Sequence, residues 1–168
     1  MIAAYHKCAA AIVQRFDGFL AQFLGDGVLV YFGYPKAHED DAERAVRAGL
    51  ELINAVSALK TPVSLQIRVG IASGLVVVGD LMRSGNAIER GIVGETPNLA
   101  ARIQGIADPN AVVIAESTRK LIGNLFELED LGAKDLKGFA GSVRAWAAVW
   151  RSSIASRFEA EHETKLTL

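Results

Sequence analysis

Phe19-Leu-Ala-Gln-Phe-Leu24, Gly25-Asp26-Gly27 and Val28-Leu-Val-Tyr-Phe32 follow one another without a break, and this stretch decides the fold. Two short β-type runs joined by three residues, two of them glycine, can only turn back on themselves. They predict an antiparallel hairpin with Asp26 at its tip. On the N-terminal side, apolar residues recur with a helical period at Ile2, Tyr5, Ala9, Ile12, Val13 and Phe16. Gly18 then stands where a glycine C-cap would close the helix. On the C-terminal side, His38-Glu39-Asp40-Asp41 precedes apolar residues at Ala42, Ala45, Val46, Gly49, Ile53 and Val56. Acids capping the positive end of an amphipathic helix fit this pattern better than metal ligands do, and the helix should end near Lys60 to Pro62.

Further along, Leu65 to Ile71 alternates as a half-buried strand and resumes after Ser73-Gly74 in the run Leu75 to Val78. Arg83 to Arg90 reads as an exposed loop and Gly91 to Val93 as a short strand. Thr96 suits an N-cap and Pro97 the first position of a helix reaching about Ala107. Ala111 to Ala115 predicts a strand and Ser117 to Ile122 a short helix. Phe126 to Leu131 and Val143 to Val149 predict two more strands, the second returning after the turn Lys137-Gly138-Phe139. Hairpins interspersed with helices, without regular alternation, indicate an α+β fold: a ferredoxin-like mixed or antiparallel sheet covered by helices.

Composition bounds the function. A chain of 168 residues, 51% hydrophobic, can bury one sizeable core. Lys and Arg number 18 against 19 Asp and Glu, so no overall field attracts nucleic acid or an anionic membrane. The lone cysteine, Cys8, rules out an intrachain disulfide. The apolar runs are strand-length and no signal-type segment opens the chain, so a cytoplasmic location is expected. His6 reads as a helix-surface or core-edge residue, and Trp146 and Trp150 as packing residues.

Chemistry is concentrated in LGDGVLVYFGYP, Leu24 to Pro35, and GETPNLAARIQ, Gly94 to Gln104. Together they resemble class III adenylate and guanylate cyclases, and HEDDAERAVRAGL and RVGIASGLVVVGD extend the resemblance over residues 1–150. Residues 151–168 resemble a connector to a further module, as in bacterial adenylate cyclases fused to ATPase and repeat modules. The resemblance implies conversion of ATP to cyclic AMP and pyrophosphate with Mg2+ or Mn2+, at sites shared by two facing subunits of a homodimer. Asp26 matches a metal aspartate, and the flanking Gly25 and Gly27 let a nucleotide approach the backbone. Asp26 is therefore expected in a cleft beside the helix that carries Asn98 and Arg102. Those two, spaced i, i+4 on one helix face, match the ribose-orienting and transition-state residues. Lys137 matches a lysine that reaches the triphosphate.

Three departures stand out. The family's other metal aspartate lies in an F-x-D motif on an opening strand, and no such motif occurs here. The chain is therefore expected to lack that strand and to be truncated at both ends. The adenine-reading positions align with Gln22, which can donate and accept hydrogen bonds, and with Gly91, which has no side chain. Two other functions compete with the enzyme: a catalytically inactive dimerisation or nucleotide-binding domain, and a diguanylate cyclase. The latter's hairpin would carry GG[DE]EF, whereas this one reads LGDGV.

Overall fold

A computed structural model describes residues 2–25, 27–60, 65–76, 95–124, 126–139 and 141–150. The predicted loop 83–90, strand 91–93 and connector 151–168 lie outside them.

Helix α1, Ile2–Arg15, leads into the hairpin strands β1, Phe19–Leu24, and β2, Gly27–Tyr31, which pair antiparallel with a bulge between Leu20 and Gln22. Helix α2, Asp41–Ser57, follows. Next come β3, Val69–Ile71; α3, Glu95–Ile106; β4, Val112–Ala115; the short α4, Glu116–Arg119; and the long hairpin β5, Phe126–Asp135, with β6, Ser142–Trp150. The hairpin β1–β2 forms its own sheet. The second sheet has the order β3-β4-β6-β5, with β3 parallel to β4 and the other pairs antiparallel. The fold is the mixed α+β arrangement expected.

Strand β4 is buried along its whole length because both its faces are covered. Val112 and Ile114 pack with Val46 of α2, Phe126 and Ala148. Val113 and Ala115 pack with Ile103 of α3, Ala107 just beyond it, Leu136 and Ala145. The four-stranded sheet is thus sandwiched between α2 and α3. A third cluster joins Ala9 and Ile12 of α1 to Ala48, Leu52 and Val56 of α2, with Val28 and Phe32 against it.

Several local expectations are corrected. At the end of α1 the left-handed residue is Asp17, φ 60°, not Gly18, and the Gly18 amide donates to the Val13 carbonyl over 2.8 Å. Gly18 serves close approach instead: a Cβ there would lie 2.9 Å from the Phe32 ring. Asp40 is the N-cap residue of α2 but makes no side-chain capping bond. It and Asp41 pair with Arg44, whose guanidinium also donates to the Phe16 carbonyl over 2.8 Å and so ties α2 to the end of α1. Helix α3 begins at Glu95, so Thr96 lies inside its first turn rather than at the N-cap. Strand β3 is shorter than its alternation suggests. The Ile67 amide and carbonyl bond to the Asn110 side chain and amide, at 3.2 and 2.7 Å, while Leu65 and Ile67 pack under α1 and α2. Apolar alternation is satisfied there without a ladder.

Candidate active site

Two elements build one cleft of about 300 Å³, lined by Glu95, Asn98 and Arg102 of α3 and by Lys137, Gly138 and Phe139 of the loop between β5 and β6. Leu99, Ile103 and Ala107 face the core and fix the rotation of α3. That rotation turns Glu95, Asn98 and Arg102, at i, i+3 and i+7, toward the cleft. The loop is held by the same core through Leu136 and Phe139, and the Phe139 amide closes a turn on the Leu136 carbonyl at 3.1 Å. Lys137 and Gly138, between those two anchors, are left exposed.

The position of α3 is itself set by glycine. A Cβ on Gly70 of β3 would meet backbone atoms of α3 and lie 2.8 Å from the Gln104 Cα. Only a residue without a side chain lets helix and strand lie this close. Near the N-terminal end of α3, Ser73 is held by a 2.8 Å hydrogen bond with the fully buried Thr118, and its amide donates to the Ser117 hydroxyl.

Arg102 and Lys137 place two cations in the cleft, and Asn98 adds an amide that both donates and accepts. Such a set suits phosphate oxygens beside a hydroxylated sugar. Outside it, burial pushes the Cys8 thiol and the Tyr31 phenol up. On the far hairpin, the hydrogen bond from Arg144 holds the Asp130 carboxyl down.

Asn98, Arg102 and Lys137, drawn from separate parts of the sequence, line a common wall. Gln22, exposed on β1, and Gly25 and Gly27 on the hairpin are not among the cleft's lining residues. Gly25 adopts φ 61°, a turn conformation that glycine takes without strain. Asp26 and Gly91 lie outside the described residues, so the expected approach of Asp26 to α3 does too. Glu95, Gly138 and Phe139 were not singled out from the sequence as site residues. For Glu95 the usable signal is its helical spacing from Asn98 and Arg102.

Residues 1–149 match the adenylate and guanylate cyclase catalytic domain. The chain belongs to that family. A protein of Rhizobium meliloti is 31% identical over 95% of this chain, which spans only 16% of that relative's length. Among solved structures, the guanylate cyclase domain of RhGC from Catenaria anguillulae, in complex with GTP, is 26% identical with a TM-score of 0.77. That match covers 89% of this chain and 82% of the other. The adenylyl cyclase CyaB from P. aeruginosa is 25% identical with a TM-score of 0.72, covering 89% and 81%. The cyclase domain thus resembles enzymes named for either nucleotide. Among the described residues no helix is long and apolar enough to cross a membrane.

Proposed function

We propose that this cyclase domain converts ATP to cyclic AMP and pyrophosphate in intracellular signalling, acting in the cytoplasm as a homodimer within a larger protein. The observation that carries this reading is the convergence of Asn98, Arg102 and Lys137 on one cleft. In it, Asn98 holds the ribose so that its 3′-hydroxyl faces the α-phosphorus. Arg102 donates from a planar, permanently charged fork to the oxygens that gain charge as the bond to pyrophosphate breaks. Lys137, a compact charge on a flexible stem, follows the triphosphate tail.

Divalent ions, when bound, activate the attacking hydroxyl and neutralise the triphosphate. Among the described residues, however, no group of three or more His, Cys, Asp or Glu side chains could hold a metal ion. The described residues therefore bring no such cluster to the cleft. Asp26 would hold Mg2+ or Mn2+. Asp26→Asn is then expected to weaken Mn2+ binding as read by paramagnetic line broadening.

Dimerisation is supported by the lining of the cleft, which does not include Gly25, Gly27 or Gln22 and which a facing second subunit would complete. Phe23 and Leu24, 46% and 50% exposed at the end of β1, offer apolar surface for such a contact. ATP is preferred over GTP because the HEDDAERA helix resembles that of bacterial adenylate cyclases. The test is chromatography of products from ATP and from GTP, made by the domain joined to a strand bearing the F-x-D aspartate. Cyclic AMP as the main product is expected, whereas cyclic GMP would reassign the substrate. Nucleotide binding without either product would favour the inactive regulatory domain.

A further inference from the structure

One charged group in the cleft has no part in the chemistry just described. Glu95 opens α3 and lines the same cavity as Arg102 and Lys137, although a carboxylate repels the phosphate oxygens those cations attract. Glu95 is exposed, and no ion pair among the described residues joins it to either cation. Its charge therefore acts on whatever enters the cleft.

We propose that Glu95 is a specificity-determining residue, shifting the cleft's relative affinity toward a polyphosphate carried as its divalent-cation complex and away from the cation-free anion. This rests on the reading that Arg102 and Lys137 receive the triphosphate. The three side chains sum to a single positive charge. A cation-free triphosphate brings its full negative charge up to Glu95. The complexed chain carries two charges fewer and presents a cation that the carboxylate attracts. Like-charge repulsion and opposite-charge attraction thus act through the same side chain, in opposite directions, on the two forms of one ligand.

An acid in the first turn of a helix also stabilises that helix, and this simpler role must be separated from selection. Loss of helix stabilisation lowers the thermal midpoint but leaves the relative affinity for the two ligand forms unchanged. Calorimetric titration of the 168-residue chain with inorganic tripolyphosphate distinguishes them. It is run at fixed ionic strength, with excess Mg2+ and separately with a chelator. Arg102 and Lys137 attract both forms, so the quantity read is the ratio of the two affinities. Glu95→Gln should raise affinity for the free anion by roughly three- to tenfold and move that ratio toward the free anion by as much. Glu95→Asp should leave the ratio as it is.

Arg102→Ala and Lys137→Ala should weaken both forms together. If they do, and Glu95→Gln leaves the ratio of the two affinities unchanged, the selection role is overturned while the anion cleft stands. If those two variants bind as the wild type does, or the wild type binds neither form, the anion cleft falls and the proposal with it.

Discussion

Arg102 is the residue whose removal separates transition-state binding from ground-state binding. It stands exposed on α3 in the cleft, while the neighbouring Ile103 is fully buried, so truncating it leaves the core intact. A donor used mainly as charge develops on the phosphate lowers kcat when lost, typically by on the order of a hundredfold. Arg102→Ala, in a form of the domain carrying both metal aspartates, is therefore expected to lose about two orders of magnitude in kcat. Its KM for ATP should change much less. A raised KM with unchanged kcat would make Arg102 a ground-state clamp instead. That Asn98 and Arg102 share one helix face was legible from their spacing, but the roles given to them came only through the family resemblance. The contribution of Lys137 was legible only through the family resemblance, because its place in the cleft depends on how the β5–β6 loop packs on α3. Acids at the positive end of α2 were legible, with Asp41 in its first turn, but the pairing of Asp40 and Asp41 with Arg44, which also reaches the Phe16 carbonyl, was not.

At the scale of elements, the hairpin β1–β2 followed from its glycines alone, and α2 from its amphipathic period. The length of β3 did not, because Asn110 takes hydrogen bonds that a longer ladder would have used. Nor could a sequence pattern show that β3 touches the backbone of α3 at Gly70. That contact yields a paired expectation. Gly70→Ala must push α3 away from the sheet, since the atoms it meets are backbone rather than flexible side chain. A cost of about 1–3 kcal/mol is expected, read as a lower midpoint in chemical denaturation. Because α3 carries Glu95, Asn98 and Arg102 while Lys137 sits on another element, tripolyphosphate affinity should fall as well. Gly105→Ala, on the same helix but with nothing within 4 Å of its added Cβ, should stabilise the domain by about 0.5–1 kcal/mol. Equal effects of the two substitutions would show that helix propensity, not close approach, governs both.

At the scale of the whole molecule, the decisive contrast is between a cleft whose cations suit phosphate and described residues that bring no cluster of carboxylates to serve a metal. The family's F-x-D motif is absent from the 168 residues, and the described ones hold no cluster of metal ligands. Two-metal chemistry needs carboxylates that bridge ions roughly 3.5–4 Å apart, and Asp26 alone cannot bridge two ions and also fix their spacing. The 168-residue chain is therefore expected to make little or no cyclic nucleotide, even with its cleft binding polyphosphate as proposed. Supplying the opening strand with its aspartate should restore turnover, whereas the same strand with that aspartate changed to asparagine should restore folding stability alone. The three forms are compared for cyclic AMP and cyclic GMP production with Mn2+, after circular dichroism and sedimentation have confirmed that each is folded and have fixed its oligomeric state. Robust turnover by the short chain would mean that another carboxylate serves in place of the missing one. If all three forms fold and bind nucleotide yet stay inactive, the domain's role is regulatory binding rather than cyclisation.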